Sequence, residues 1–182
     1  QLKGTAADPQ IYGTLSVDDG SLSIRTVRNP LTRITGQLQF TGRKAAFSGS
    51  AVMDKAKAKN PGKLQVQADA SWQGWEVTSY KGLLALDHLG VVCPYFTGPL
   101  TGNLTVSPGD GMPLLSGTVT IDDTTLDLPL SLSDTESNFD AALDITVALG
   151  DDVRLYNGAL YDLMVHGKAH FGGTLAHPHG TG

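Results

Sequence analysis

The chain has 182 residues, enough for one good core or two small ones, with 40% hydrophobic residues, 22 glycines and only 7% aromatics. Its formal net charge of -5 excludes a nucleic-acid surface, which needs a basic stripe. The single cysteine, Cys93, excludes an internal disulfide framework. No stretch approaches the roughly 18 apolar residues of a membrane helix, and no charged-then-apolar signal segment opens the chain.

From the start, the chain reads as strands. Gly13-Thr14-Leu15-Ser16-Val17 alternates polar and apolar, and Asp18-Asp19-Gly20 reads as a turn after it. Gly36-Gln37-Leu38-Gln39-Phe40 repeats the pattern. Lys55, Lys57 and Lys59 form the one basic run; they alternate, and read as a solvated face or loop rather than a phosphate site. Leu64, Val66, Ala68, Ala70 and Trp72 then fall at every second place. The parity shifts from even to odd between Trp72 and Val77, which a bulge at Gly74 would explain. Residues 82–100 are the least regular, and read as a strand followed by a loop.

The second half is more regular. Gly102-Asn103-Leu104-Thr105-Val106 and Gly117-Thr118-Val119-Thr120-Ile121 repeat the glycine-led strand, with Asp122-Asp123 as a turn. Leu126, Leu128, Leu130 and Leu132 alternate up to Asp134. Phe139, Ala141, Leu143, Ile145, Val147 and Leu149 alternate up to Gly150-Asp151-Asp152, another turn. After Asn157-Gly158 comes a last run through Leu163, Val165, Gly167, Ala169, Phe171, Gly173 and Leu175. No helical stripe of any length is present. Many short alternating strands with turn signals between them predict an all-β protein.

Two repeats organise these strands. The glycine-led unit recurs at Gly13, Gly36, Gly102, Gly117 and Gly167. A proline with a glycine four places on recurs as Pro9/Gly13, Pro94/Gly98, Pro113/Gly117 and Pro178/Gly182. Proline suits a strand's start or flank because it cannot donate to the ladder. Glycine marks a bend, or a place where two backbones come close. The opening Gly4-Thr5, Pro9, Gly13 returns in register as Gly173-Thr174, Pro178, Gly182. Such units stack and share one interior. About a dozen strands at ~4.8 Å spacing predict a rod on the order of 60 Å long rather than a compact sandwich. A chain that returns to its opening phrase is expected to be one segment of a longer array.

Little in the sequence carries covalent chemistry. His170, His177 and His179 lack a cysteine or carboxylate at ligand spacing and read as exposed polar residues, and His166 shares the polar face of the last strand with His170. Asp122-Asp123 and Asp151-Asp152 fit turns better than acid–base or calcium pairs. The serines show no nucleophile-elbow pattern. Asn103-Leu104-Thr105 matches a glycosylation sequon, a short motif that arises by chance. No enzyme activity, metal or cofactor is expected. What remains is an aliphatic strand face of modest side chains, which suits either an ordinary core or an open trough for acyl chains.

At three places the residues resemble the TamB family. Pro113 to Pro129, with its Pro-x-x-x-Gly lead, a turn and a return strand ending in Leu128-Pro129, resembles that family's signature. Leu143 to Arg154 resembles its aliphatic strand, Gly-Asp turn and Val-Arg restart. Gly167 to Leu175 followed by Pro178 resembles its closing strand and the step into the next unit, which Gly4 to Gly13 repeats. The match covers residues 2–22 and 100–182, and is weaker over 29–99. The resemblance implies an all-β fold of the AsmA-like group: an elongated curled sheet, the β-taco, enclosing an apolar groove. One segment would span 1–182, with sub-units 1–98, less regular, and 99–182. It further implies a periplasm-spanning, inner-membrane-anchored protein of diderm bacteria. That protein would pass phospholipids between inner and outer membranes, beside a barrel partner of outer-membrane protein assembly and neighbouring segments of its own chain. On this reading the groove lining is Leu104, Val106, Val119, Ile121, Leu128, Leu130, Leu143, Ile145, Val147, Val165, Ala169 and Phe171. The alternative is a structural or adhesive β-solenoid with a closed core, and a β-helix enzyme comes third.

Overall fold

A computed structural model describes residues 1–23, 28–53, 61–93, 96–126, 140–157 and 160–181. Among them there is no helix. The strands are β1 (Leu2–Thr5), β2 (Asp8–Leu22), β3 (Leu31–Gly42), β4 (Lys44–Met53), β5 (Gly62–Gln73), β6 (Glu76–Cys93), β7 (Phe96–Pro108), β8 (Pro113–Ile121), β9 (Thr124–Leu126), β10 (Ala142–Leu149), β11 (Val153–Asn157), β12 (Tyr161–Met164), β13 (Gly167–Gly173) and β14 (Pro178–Thr181). All belong to one open sheet, ordered β1-β2-β3-β4-β5-β6-β7-β8-β10-β13-β14. Strands β1 to β8 form an antiparallel meander, β10 runs parallel to β8, and β13 and β14 return to antiparallel pairing. The described residues form one sheet, not the two of a sandwich.

Alternation and register together sort the side chains. Phe47, Ala68, Gly82, Val106, Leu115 and Leu143 lie opposite one another on successive strands and share one face. One residue along, Ser48, Gln67, Leu83, Thr105, Ser116 and Asp144 share the other. The first face is half-buried and the second mostly exposed, as period two requires of a sheet with one apolar side.

The repeated glycines acquire a common physical meaning. Gly13, Gly102, Gly117 and Gly167 all have φ between +141° and +155°, a conformation closed to side chains. Gly102 and Gly117 also meet the close approach expected of them: a Cβ on either would stand 2.2 Å from the carbonyl oxygen of Thr118 or Asn103 on the paired strand. Gly36 has no such backbone and instead makes room for the Phe47 ring. Pro113 and Pro178 open β8 and β14, and Pro9 is the second residue of β2.

Several expected turns prove to be kinks in strands that continue. Ile121 pairs with Leu100 of β7, and beyond Asp122-Asp123 the chain pairs with β7 again through Thr97↔Thr125, so β9 prolongs β8. β11 prolongs β10 in the same way past Gly150-Asp151-Asp152, since β10 follows β8 and β11 follows β9 in parallel. The last run, expected to be one strand, is broken at Val165-His166 into β12 and β13. Asp18-Asp19-Gly20 lies inside β2 as a register shift, not as a chain reversal. Asp19, Arg33, His88, Asp123 and Asp152 all have φ of +45° to +54°. They form a crease across the sheet. A single left-handed residue bends a strand without ending it, and the ladder survives the crease: Asp123 N–H donates to Asp151 O at 2.9 Å and Val165 N–H to Val153 O at 2.9 Å.

The crease also explains the irregular stretch. Residues 82–93 and 96–100 are strand, not strand followed by loop. The register shift between Leu86 and Leu89 moves the apolar parity from even to odd, and Leu83 and Ala85 occupy the outer face, so alternation is hidden. Conversely, the bulge expected at Gly74 is a hairpin turn: Gln73 pairs with Glu76, and Gly74 has φ +60°. Trp72 and Val77 are partners across that hairpin, which is why their parities differ. Leu128, Leu130, Leu132, Asp134, Phe139, Gly158, Gly182, Pro94 and the three lysines at 55, 57 and 59 lie outside the described residues.

Candidate functional site

Nine of the twelve expected lining residues come together on the apolar face. Val106 lies opposite Leu115, and Leu104 opposite Gly117. Leu143 is beside Leu115, Val119 beside Val147, and Ile121 beside Leu149. Ile145 pairs with Phe171 and Val147 with Ala169. Val165 is not among them. It sits half-buried in the break between β12 and β13, held by its N–H to Val153 O. Leu128 and Leu130 lie outside the described residues.

The face is most filled around the crease from β3 to β8 and less so on β10 and β13. Leu31, Met53, Leu86, Leu89 and Val119 are buried in one cluster, against which Leu104 and Ile145 pack part-buried. Val153, just past the crease, is 0% exposed. Two hydrogen bonds tie down this end. The Arg28 N–H donates to Val92 O at 2.8 Å, and the Asn29 amide to Gly90 O at 3.1 Å. The chain entering β3 thus crosses the ends of β4 and β5 to fill the edge of β6 that β5 leaves free. On β10 and β13, Leu143, Val147, Ala169 and Phe171 are half-buried and keep partial contact with solvent.

Sequence reasoning missed the opposite end. The Trp72 indole N–H donates to Pro9 O at 3.3 Å, and the Trp75 indole N–H to Ala6 O at 2.9 Å. Both span from the β5–β6 hairpin back to the β1–β2 turn, so the sheet bends over its apolar face here. Phe40 and Trp72 meet edge-to-face at 6.3 Å across the small Ala45 row. A hollow of about 180 Å³ is left between Pro9, Ile11, Phe40, Trp72, Trp75 and Val77. Arg43 clasps Asp8 with two hydrogen bonds, one of 2.9 Å from Nε, and holds that carboxyl below its usual value. The bulge signal at Gly74 could have been read as a Gly-Trp turn, but nothing local announces its distant partner.

The outer face carries the polar groups. A hollow of about 510 Å³ lies beside Lys44, Asp69, Ser71, Ser79 and Lys81, and the Ser71 hydroxyl bonds those of Thr78 at 3.0 Å and Ser79 at 2.7 Å. Asn103 of the sequon is exposed on this face. His170, also exposed, stands 3.7 Å from the Asp144 carboxylate. Asp140 braces the β13–β14 turn. Burial pushes its carboxyl up, but N–H groups of Ala176 and Ala141, with the Thr174 hydroxyl, outweigh this and hold it below its usual value. No group of three metal-ligating side chains occurs among the described residues. Comparison of the chain with protein-family models, curated proteins and solved structures finds no match.

Proposed function

We propose that the chain is a segment of a periplasmic lipid conduit, in which phospholipid acyl chains lie along the apolar face and move between the inner and outer membranes. The observation that carries this reading is the gathering of nine aliphatic or aromatic side chains from four strands on one face. Seven of the nine keep partial contact with solvent, and Val119 and Ile121 are buried. Such a face binds hydrocarbon by removing it from water, about 0.8 kcal/mol for each methylene buried. It needs no covalent chemistry and leaves the head group at the edge. Anchorage in the inner membrane, and work beside an outer-membrane barrel protein of the assembly machinery, come with the TamB-family resemblance and form part of the same proposal.

The second reading is a structural or adhesive rod with a closed core. It draws on the buried cluster at the crease, where Val119 and Ile121 are already covered. The two readings separate with paired variants on β10. Phospholipid with brominated acyl chains is added, and quenching of Trp72 and Trp75 fluorescence is followed. Val147→Asp, on the apolar face, is expected to abolish quenching while the circular dichroism stays that of a sheet. Thr146→Asp, on the outer face, is expected to leave quenching intact. Equal quenching in both variants contradicts a lipid-bearing face.

A further inference from the structure

The outer face of the sheet departs from its polar pattern in the middle. Leu83 and Ala85 of β6 sit on it, and Leu83 is 42% exposed. The rows across β5, β6 and β7 there are Gln67–Leu83–Thr105 and Gln65–Ala85–Asn103. A hollow of about 330 Å³ lies between these side chains. The next rows along the strands belong to the larger hollow of about 510 Å³. Across β4, β5 and β6 they are Ala46–Asp69–Lys81 and Lys44–Ser71–Ser79. From Gln65 to Ser71 the two hollows follow about 20 Å of β5. Ala46 and the two serines make a low floor, over which the longer lysines stand.

The polar groups of this track are not used up within the protein. Lys44, Gln65, Gln67, Asp69, Lys81 and Asn103 make no side-chain hydrogen bond or ion pair among the described residues, although Asp69 lies directly opposite Lys81. Arg43 and Arg154, by contrast, each hold a carboxylate. The hydroxyl protons can be counted. Thr78 Oγ1 donates to Ser71 O at 3.1 Å, so it accepts from Ser71 Oγ, which in turn accepts from Ser79 Oγ. Ser79 is left as an acceptor toward the hollow.

Together these groups match one ligand chemistry. The amides of Gln65, Gln67 and Asn103 both donate and accept, as sugar hydroxyls do. Asp69 and Ser79 accept from hydroxyls. Leu83 and Ala85 offer a small apolar platform to the C–H face of a sugar ring. Lys44 and Lys81 outnumber Asp69 and favour anionic groups, in a chain whose net charge is -5. An added peptide strand does not fit, because β5 and β6 are paired on both sides and have no bare ladder. We infer that this track binds an acidic saccharide chain, with carboxylates at Lys44 and Lys81 and sugar rings along Leu83 and Ala85. It lies on the face opposite the one assigned to acyl chains, so saccharide binding and lipid binding fail or stand separately.

The test is an NMR titration of the isotope-labelled chain with a hyaluronan hexasaccharide, which carries carboxylates, hydroxyls and acetamido groups. Amide shifts are expected on β4 to β7 around Lys44, Asp69, Lys81 and Leu83, with binding weakened by added salt. Lys44→Ala combined with Lys81→Ala is expected to weaken binding about tenfold, and Leu83→Asp is expected to weaken it too. All three side chains are exposed, so the fold tolerates these changes. Lys168→Ala, which removes the same charge from exposed β13, is expected to leave binding unchanged. Chitohexaose, which has the rings without the carboxylates, and polyglutamate, which has the carboxylates without the rings, are both expected to bind more weakly. No shifts, shifts scattered over both faces, a lysine double variant that binds as the parent does, or polyglutamate binding as well as the saccharide would each overturn the inference.

Discussion

Trp75, at the tip of the β5–β6 hairpin, donates its indole N–H to the carbonyl oxygen of Ala6, 2.9 Å away between β1 and β2, although its ring is 78% exposed. A large exposed ring whose only polar atom is bonded acts as a clasp between strands that are not neighbours in the sheet. Trp75→Phe keeps the ring and removes the donor. The expected loss in denaturation free energy is about 0.5–1.5 kcal/mol, the net worth of one hydrogen bond. Hydrogen exchange should quicken in β1 and in the Ala6-Ala7 turn, while β10 and β13 keep their rates. An unchanged β1 would mean that the clasp contributes nothing.

Gly102 and Gly117 face each other's strands at the β7–β8 crossing. Gly102→Ala and Gly117→Ala each add a methyl 2.2 Å from a backbone oxygen, at φ +155° and +141°. Each is expected to cost more than about 2 kcal/mol, because the backbone conformation is strained for alanine and the ladder must also part. Gly82→Ala on β6 is the contrast. Its new methyl would meet Val106 at an ordinary 3.5 Å, with no positive φ. It is expected to leave stability unchanged or to raise it by about 0.4–1 kcal/mol through the unfolded chain. Urea midpoints of the three variants check the order.

How far the sequence could be read depended on where the deciding contact lay. β5 and β10 were legible because Leu64 to Trp72 and Leu143 to Leu149 alternate without interruption, and each face stays on one side. The apolar face could be assembled residue by residue, since period two places Val119 and Val147 on the same side once the strands pair. The crease was not legible. Asp122-Asp123 and Asp151-Asp152 ask for a left-handed residue, and a reversing turn and a strand kink both use one. Only the partner strand, β7 or β8, decides which. Gly74 failed in the opposite sense: read as a kink, it is the reversal. The Trp75–Ala6 clasp joins residues 69 apart in sequence, and no local pattern encodes it.

At the crease, Asp123 holds φ +45° with a Cβ. Asp123→Gly removes a left-handed penalty of roughly 1 kcal/mol and is expected to stabilise the fold by up to that amount, offset by the freer unfolded chain. Asp123→Val is expected to lose about 1–3 kcal/mol, since a β-branched residue resists the same conformation. Thermal melts of the pair, with opposite shifts, would establish that the kink and not the side chain matters there.

Acid should loosen both ends of the sheet. Asp8 is held below its ordinary value of 3.8 by Arg43, Asp162 likewise by Arg154, and Asp140 by the N–H groups around it. A carboxyl whose native value is depressed contributes stability that is complete above the unfolded value. That contribution is lost as pH falls through the native one. Stability from these three groups should therefore be level above about pH 5 and decline below about pH 4. Asp8→Asn should flatten part of the decline. A pH series of urea midpoints reads it, and a decline that Asp8→Asn leaves unchanged would contradict the assignment.

The central claim is that the apolar face holds acyl chains. Native mass spectrometry of the detergent-free 182-residue chain, with lipid extraction of the same sample, tests it most directly. Adducts at phospholipid masses, restored by incubating delipidated protein with phospholipid and absent from Val147→Asp, are the predicted result. A clean apo mass that persists after incubation with phospholipid would contradict the claim and leave the closed rod.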